Sequence, residues 1–322
     1  MLWARIRVFG SCGFAMTNFV RFAALTAALV VAGCAGMPKA PPAPQGLRLA
    51  SWNLEHLAEA DGTGCRPRNE ADYAKLRAYA AKLNADVIAF QEVENEAAAR
   101  HVFDAATYDI VISDQPYPPM KETCGKDSAE PIRPQRNGLA IRKGIAFSVN
   151  PPVTALDVER KGGRPVRWGT DVTLTGKEKL RLLSVHLKSG CSSGFKADDE
   201  DCPLLMEQVP TIKSWIDARE SAGESFAILG DFNRRLKGED VEVWQAWNAG
   251  GDLHIAALEG DGGPRAPGCN GGRYKEFIDQ IVLSDGAFSR WDKASFGELV
   301  YEERGEAMPS DHCPIAVTIR AP

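Results

Sequence analysis

The chain has 322 residues, of which 44% are hydrophobic and 25% are charged, and its formal net charge at pH 7 is −5. This composition excludes a disordered or fibrous protein and is sufficient for a large hydrophobic core in one or two domains. The net negative charge also argues against a protein that clamps duplex nucleic acid nonspecifically. Any contact with nucleic acid must therefore come from local basic groups.

Residues 1–33 have the features of a secretion signal. Arginines precede the apolar run FAALTAALVVAG (22–33), which is too short to span a bilayer comfortably, and small residues then lead directly to Cys34. The stretch VVAGC resembles a bacterial lipobox, which implies cleavage before Cys34 and lipids attached to that cysteine. We therefore predict an exported lipoprotein, anchored to the bacterial membrane of the cell envelope through lipidated Cys34. An ordinary secretory signal with a chance cysteine is the alternative.

A proline-rich tether is predicted over residues 34–46, and one folded domain over residues 47–322. The predicted strands of this domain are LRLASWN (47–53), DVIAFQEV (86–93), YDIVISD (108–114), GLAIRKG (138–144), LRLLSVHLKSG (180–190), FAILGDFN (226–233), FIDQIVLS (277–284) and DHCPIAVTIR (311–320). Helices are predicted over residues 70–84, 204–220 and 240–249. Pro210 is expected to weaken the middle of the second helix or to reset its start. The alternation of strands and helices indicates an α/β fold.

Six cysteines follow Cys34, and an even number in an exported protein indicates disulfides. Cys191 and Cys202 bracket a polar loop that a local bridge could close, whereas the pairing of the other four cysteines stays open. Zinc binding is the weaker interpretation because no two cysteines stand two to four residues apart.

Polar side chains follow the apolar runs at or beside the predicted strand ends. They are Asn53, Glu92, His186, Asp231, Asn233, Asp279, Asp311 and His312. Each alone has an ordinary structural explanation, such as a turn, a helix cap or a satisfied core histidine. Together, carboxylate and amide oxygens without thiolates suit a hard cation such as Mg²⁺ or Mn²⁺, and the two histidines suit acid–base chemistry. This set predicts metal-assisted attack of water on a phosphate ester.

Seven segments carrying these residues resemble the endonuclease/exonuclease/phosphatase superfamily, which is deoxyribonuclease I-like in fold. They are SWNLEHL (51–57), VIAFQEVEN (87–95), RNGLAI (136–141), SVHLKSG (184–190), ILGDFNRR (228–235), IDQIVLS (278–284) and SDHCPIAV (310–317). The resemblance implies a four-layer α/β sandwich, in which two facing mixed β-sheets are flanked by helices, and it makes residues 47–322 the catalytic domain. It also implies a metal site where loops of the two sheets meet.

The resemblance implies metal-binding residues position by position. Glu92 matches the principal metal-binding glutamate, and Asn53 matches an amide that helps to orient metal and phosphate. Asp231 matches the acid that positions the attacking water at the metal, and Asp311 matches a second acid near it. Glu55 could add a further carboxylate. The implied cofactor is Mg²⁺ or Mn²⁺.

The remaining matched positions have implied roles in catalysis and substrate binding. Asn233 matches a group that grips the phosphate, and Arg136 matches a phosphate-contacting arginine. His312, oriented by Asp279, matches the histidine that assists proton transfer or stabilises the transition state. His186 matches a histidine that protonates the leaving oxygen in the deoxyribonuclease I-like branch. The general base is either Asp231 or the His312–Asp279 pair, and we favour the pair.

The predicted substrate is DNA or RNA, cleaved at phosphodiester bonds by an envelope nuclease. Residues 131–170 contain eight basic and two acidic residues, so they could bind a polyanion or simply form a solvated surface. A lipid or small-molecule phosphoesterase of the sphingomyelinase type is one alternative, and a noncatalytic binding lipoprotein is another. No protein partner is predicted.

Overall fold

A computed structural model describes residues 46–118, 121–158, 164–177, 179–194, 200–237 and 241–321, with the side chain of residue 241 excepted. The predicted signal, Cys34 and the tether up to residue 45 lie outside the described residues. The strands are β1 Leu47–Leu57, β2 Val87–Val93, β3 Tyr108–Ile112, β4 Arg136–Arg142, β5 Phe147–Val149, β6 Thr170–Leu174, β7 Leu180–His186, β8 Phe226–Asp231, β9 Leu253–Ile255, β10 Asp279–Ser284, β11 Trp291–Glu298 and β12 Ile315–Ile319.

The helices are mostly short. They are α1 Glu70–Leu83, α2 Glu96–Arg100, α3 Asp201–Ser221, α4 Val241–Trp247, α5 Ala256–Glu259, α6 Cys269–Gly272 and α7 Asp285–Phe288, with 3₁₀ turns at Thr154–Leu156 and Gly305–Ala307. Helix α1 begins at a capping box in which the Asn69 side chain accepts the amides of Ala71 and Asp72. In the described residues, no helix has both the length and the apolar character needed to cross a membrane.

The strands form two six-stranded sheets that face each other. The first sheet has the order β11-β12-β1-β2-β4-β3, and the second has the order β5-β6-β7-β8-β10-β9. Both are mixed, because β1–β2 and β7–β8 are parallel whereas the other neighbours are antiparallel. Helices cover the outer faces. The predicted α/β sandwich of two facing mixed sheets flanked by helices is therefore confirmed.

Two apolar layers explain why the central strands read as continuous hydrophobic runs. Leu49 and Val87 of the first sheet pack with Leu182 and Ile228 of the second, and all four are fully buried. Alternate residues of the first sheet, such as Trp52, pack instead under helix α1 in a second buried cluster. Strands covered on both faces need apolar side chains at every position, so alternation disappears. The sequence change to polar residues therefore marks the edge of the sandwich.

Helix α3 corrects the expectation for Pro210. The helix is continuous over Asp201–Ser221 and contains Pro210 in its interior. Proline at this position removes one backbone hydrogen bond and costs about 3 kcal/mol in an isolated helix. The buried face that includes Leu205, Val209 and Ile212 offsets this cost by packing on the second sheet.

Three disulfides join the six cysteines of the folded domain. The predicted local bridge Cys191–Cys202 is confirmed, and the other pairs are Cys65–Cys124 and Cys269–Cys313. Disulfides persist outside the reducing cytosol, so the pairing is typical of an extracellular or periplasmic protein.

Candidate active site

Strand pairing places three of the predicted residues in one row at the edge of the second sheet. Asp231 ends strand β8, and its register partners are His186 on β7 and Asp279 on β10. Directly opposed residues on neighbouring strands lie about 5 Å apart, so their side chains can act on one ligand. The row joins positions that are separated by 45 to 48 residues in the sequence.

The first sheet supplies Asn53 and Glu92 through irregular strand ends. The β1–β2 register shifts between Asn53 and Leu57, and Glu92 has φ 60°. Glu55 and His56 also have positive φ values, of 44° and 51°. Such left-handed residues cost about 1–3 kcal/mol each and accumulate at functional sites, where surrounding contacts hold them. Here the Glu55 amide donates to Asn53 Oδ1 (2.9 Å), and the His56 amide donates to Glu92 Oε2 (3.0 Å).

Asn53 links the two sheets at the site. Its Nδ2 donates to Glu92 Oε1 (3.2 Å) and to Asp231 Oδ2 (3.0 Å), and all three groups are buried or nearly so. The amide oxygen of Asn53 is occupied by the Glu55 amide. Asn53 therefore lies between the two carboxylates and positions both, and metal binding by its oxygen stays a prediction.

The Asp231–Asn233 pair differs from the expected strand geometry. Strand β8 ends at Asp231, and Asn233 lies in a turn with φ 51°. Its backbone amide donates to Asp231 Oδ1 (2.8 Å), and its Nδ2 donates to Leu187 O (3.1 Å). Gly230 permits the close approach of β7 here, because a Cβ atom would lie 1.9 Å from Val185 O. The pair is thus held by a turn instead of by two positions on one strand face.

His312 lies beside this row on the loop before β12. Its Nδ1 is 2.8 Å from Asp279 Oδ2, and its Nε2 is 3.7 Å from Asp231 Oδ2 and 3.8 Å from Asp311 Oδ1. Burial alone would lower the pKa of His312, but the carboxylates of Asp279, Asp231 and Asp311 outweigh burial and raise it well above its ordinary value. The neighbouring carboxylates therefore favour the protonated, imidazolium form of the ring.

His186 has the opposite character. Its Nε2 is 3.7 Å from both Glu92 Oε1 and Asp231 Oδ2, and its side chain is only 3% exposed. Burial, reinforced by the charge of buried Arg167, lowers the pKa of His186 well below its ordinary value. This environment favours the neutral imidazole. The pKa values of His186 and His312 are shifted in opposite directions because, of the two, only His312 has a carboxylate within hydrogen-bond distance.

The central carboxylates are also differentiated. Burial opposes ionisation of Glu92, but His56, the hydrogen bond from Asn53 and the charge of His312 outweigh it and lower the pKa of Glu92. Burial raises the pKa of Asp231 to about 7, although His312 opposes the shift. Partial desolvation in the site also raises the pKa of Asp311, although its side chain is 60% exposed. Asp231 and Asp311 are therefore harder to ionise than Glu92, and additional positive charge is needed to keep either of them ionised in this cluster.

Several residues that sequence reasoning missed position the site. The Tyr301 hydroxyl accepts from buried Trp52 Nε1 (2.7 Å) and donates to the His312 carbonyl (2.6 Å). The Ser310 hydroxyl donates to the Asn53 carbonyl (2.7 Å) and accepts the His312 amide (3.2 Å). These bonds tie the loop before β12 to β1. Tyr301 lies in an irregular segment without a pattern that would have identified it, and Ser310 lies within the matched segment 310–317 but was assigned no role.

The hydroxyl of Tyr301 provides a test of this positioning. Tyr301→Phe removes the acceptor for the Trp52 N–H, so we expect a loss of about 1–3 kcal/mol in the free energy of unfolding. We also expect kcat for phosphodiester hydrolysis to fall roughly two- to tenfold, because the His312 loop loses a tether. Chemical denaturation and steady-state kinetics measure both effects.

Tyr108→Phe is the matched control for that variant. The Tyr108 hydroxyl donates to the Ala85 carbonyl (2.8 Å) at the end of β3 remote from the site. The control should lose about 0.5–1.5 kcal/mol of stability without any change in kcat. Equal turnover in both variants would contradict a positioning role for Tyr301.

The predicted basic segment is largely engaged in structural contacts. Arg136 donates to the carbonyls of Glu94 and Gln115, and its guanidinium lies 5.1 Å from the Tyr117 ring centroid. Buried Arg167 donates to the carbonyls of His186 and Leu187, so it holds the backbone at the end of β7 in position. The other described basic residues of the segment form ion pairs, namely Arg133, Arg142, Lys143 and Arg164. Phosphate binding by Arg136 stays a prediction, and the basic residues of the segment that the structure describes do not form a continuous free stripe.

The sandwich, with carboxylates, amides and imidazoles gathered at one edge, defines a deoxyribonuclease I-like hydrolase fold. The sequence profile described as Endonuclease/Exonuclease/phosphatase family matches residues 50–312. The chain belongs to this family, whose members are phosphoesterase and nuclease hydrolases.

Solved structures share the fold at low sequence identity. Truncated TDP2 from Caenorhabditis elegans is 17% identical, with a TM-score of 0.52, and the match covers 86% of this chain and 98% of that one. The human Nocturnin catalytic domain is 15% identical, with a TM-score of 0.51 and coverages of 85% and 93%. The 3'-5' exonuclease NExo from Neisseria meningitidis is 11% identical, with a TM-score of 0.55 and coverages of 85% and 100%. A search of curated protein sequences finds no match.

Proposed function

We propose that this protein is a divalent-metal-dependent phosphodiesterase, and that its substrate is DNA or RNA. One observation carries the proposal: Asn53 joins buried Glu92 and Asp231 across the two sheets, beside the hydrogen-bonded pair of His312 and Asp279. This arrangement combines a carboxylate site for a cation with a charged donor for a phosphoryl group.

The residues fit a hard divalent cation such as Mg²⁺ or Mn²⁺. The donors are carboxylate oxygens, and the nearby cysteines are held in a disulfide. Burial raises the pKa of Asp231 to about 7 even with His312 beside it, so a bound cation would favour the ionised carboxylate. We assign the ligands to Glu92 and Asp231, with Asp311 at the more exposed side of the site. Ligand atoms of Asp231, Asp279 and His312 also lie within 4.8 Å of one another, but the His312–Asp279 hydrogen bond gives that pair another use.

The reaction we assign to the site is attack of water on phosphorus. The metal, when bound, neutralises charge on the phosphoryl oxygens. Asp231 accepts a proton from the attacking water as the new P–O bond forms and the bond to the leaving oxygen breaks. Asn233 uses one of its two Nδ2 hydrogens for Leu187 O, and the second can donate to a nonbridging oxygen. His186 is neutral, so we assign it a hydrogen bond to the leaving oxygen, and water supplies the proton.

We propose a role for His312 that differs from the one favoured on sequence. Its raised pKa favours an imidazolium, which donates hydrogen bonds and does not accept a proton, so we assign the general base to Asp231, the other candidate from the sequence. We assign His312 to stabilise negative charge on the phosphoryl oxygens, with Asp279 holding the ring through Nδ1 (2.8 Å). Asp231, 3.7 Å from His312 Nε2, is then the acceptor for the water proton.

A nucleic acid substrate is supported by proteins of the same fold. The Neisseria 3' phosphatase NExo, bound to a product DNA hairpin, has a TM-score of 0.52 and 13% identity with this chain. The test is to incubate the full chain, purified in detergent, with plasmid DNA, RNA, sphingomyelin and a nitrophenyl phosphodiester, with Mg²⁺ and then with excess EDTA. We expect nucleic acid cleavage that EDTA abolishes. Cleavage of sphingomyelin alone would favour a lipid phosphoesterase, and inactivity on every substrate would favour a binding protein.

We also propose that lipidated Cys34 anchors the protein in the cell envelope, with the catalytic domain carried on a tether. The support is the lipobox-like VVAGC stretch, together with the three disulfides of an exported domain. Cys34→Ser should move the protein from the membrane fraction to the soluble fraction, as measured by immunoblotting of fractionated cells. A variant that remains in the membrane fraction would contradict this anchor.

A further inference from the structure

A pocket of about 250 Å³ opens directly beside the catalytic groups. Its lining includes the catalytic groups Asp279, Asp311 and His312 together with the aromatic side chains of Phe277 and Tyr274. Tyr274 is 47% exposed, and in the described residues Val149 is the one other large apolar side chain that is left exposed. An exposed aromatic ring beside a phosphoryl site is available for stacking.

Basic side chains surround the continuation of this pocket. A neighbouring cavity of about 100 Å³ shares Glu276 and Phe277 with it and is lined by Lys237, Arg265 and Lys275. These three side chains are exposed and form no ion pair with any described residue. Exposed Arg273 lies next to Tyr274. The basic surface formed by Lys237, Arg265, Arg273 and Lys275 therefore extends away from the catalytic groups.

The acidic residues near the pocket are already engaged. Glu298 accepts the amides of Gly268 (2.6 Å) and Cys269 (3.1 Å), and Glu276 lies 3.9 Å from Arg235. Asp279 and Asp311 belong to the catalytic cluster. Outside the catalytic cluster, the two cavities are lined by four basic side chains and two acidic ones, namely Arg235, Lys237, Arg265 and Lys275 against Glu276 and Glu298. This excess of positive charge beside an aromatic surface suits a nucleotide chain.

Resting on the proposed phosphodiesterase function, we propose that this pocket binds the nucleotide next to the scissile phosphate in an unpaired form. Its base stacks on Tyr274, and the following phosphates lie on the basic surface. A concave pocket of this size accepts a base that projects from the strand, whereas a base inside a duplex remains stacked between its neighbours. The substrate class is therefore single-stranded or unpaired nucleic acid.

The stacking step is tested with the full chain, Mg²⁺ and a single-stranded oligonucleotide, alongside the same sequence as a duplex and a strand with an abasic site beside the scissile phosphate. Wild-type kcat/KM should be higher for the single strand than for the duplex. Tyr274→Ala should lower kcat/KM for the single strand by roughly tenfold or more, and Tyr274→Phe should restore most of it. The loss caused by Tyr274→Ala should be much smaller on the abasic strand, which has no base to stack.

The basic surface is tested through the salt dependence of kcat/KM. Lys237→Gln combined with Lys275→Gln should make the slope of log kcat/KM against log salt shallower by about 0.7 for each phosphate contact removed. Lys143→Gln combined with Lys213→Gln is the matched control, because these lysines pair with Asp109 and Asp217. The control should keep the wild-type slope.

The outcomes separate this inference from the function on which it rests. Preference for the duplex, or a Tyr274→Ala variant that cleaves all substrates like wild type, would overturn the inference and leave the nuclease function intact. A wild-type salt slope in the Lys237/Lys275 double variant would overturn the phosphate-binding part. A wild-type protein that cleaves phospholipid but no oligonucleotide would overturn both. Tyr274 and both lysines are exposed, so thermal unfolding should show wild-type stability in every variant.

Discussion

Replacing His312 with glutamine is expected to lower kcat for phosphodiester hydrolysis by roughly a hundredfold or more. The imidazolium is the nearest fixed positive charge to Asp231, and glutamine keeps a hydrogen-bond donor but loses that charge. Steady-state kinetics on the substrate found in the panel measures the effect. Asp279→Asn should cause a smaller loss, because the ring remains in place but its charge is less well stabilised.

The pH dependence of activity in His312→Gln provides a second test of the role of His312. If the protonated His312 is the active form, wild-type activity falls as pH rises through the raised pKa of His312, and this alkaline decline disappears in His312→Gln. His254→Gln is the matched control, because His254 also lies between two carboxylates, Glu259 (2.8 Å) and Asp285 (2.7 Å), but outside the site. Wild-type kcat in His312→Gln would contradict the assignment.

Replacing Glu92 with glutamine should have an effect of similar size through the metal. Glu92→Gln preserves the shape of the side chain and removes one negative charge from the proposed cation site. We expect kcat to fall roughly a hundredfold or more and the affinity for Mn²⁺ to fall at least tenfold. Calorimetric titration with Mn²⁺ measures binding without reference to turnover.

Glu94→Gln is the matched control for Glu92→Gln. Glu94 directly follows strand β2, and its carboxylate accepts the Glu59 amide (2.8 Å) at the protein surface. This variant should bind Mn²⁺ and turn over substrate like wild type. Unchanged Mn²⁺ affinity in Glu92→Gln would show that the cation binds elsewhere, whatever the effect on turnover.

The elements that the sequence predicts well are those in which both faces are buried. Strands β1, β2, β7 and β8 read as apolar runs, and a polar residue at the end of a run identifies the edge of the core. Predictions failed where local sequence carries little information. Strands β5 and β9 have three residues each, too few for a pattern. Helix α3 continues through Pro210 because tertiary packing outweighs a local preference.

In the candidate site, too, some features could be predicted from the sequence and others could not. Its chemical groups could be found from the sequence, because carboxylates, amides and imidazoles at strand ends are unusual in such number. Their environments could not. The opposite pKa shifts of His186 and His312 follow from burial and from the Asp279 contact, which only the fold defines. The positive φ of Glu92 and the hydroxyl of Tyr301 are likewise products of tertiary structure.

The location of the basic residues proposed for substrate binding differs most between the sequence-based expectation and the structure. The sequence left open whether the basic residues of segment 131–170 bind a polyanion or form a solvated surface. In the structure Arg142 pairs with Asp86, and Arg167 is buried beneath the site. The exposed cations that we propose for substrate binding come instead from short loops around Lys237 and Lys275, where local charge density is unremarkable.

The central claim is that Glu92 and Asp231 hold a divalent cation against a phosphoryl group beside His312. The most direct measurement is an anomalous difference map from crystals of the protein grown with Mn²⁺. We predict a manganese peak within coordination distance of the Glu92 and Asp231 carboxylates. A map whose ordered manganese lies on other residues, with these two carboxylates unligated at saturating Mn²⁺, would contradict the claim.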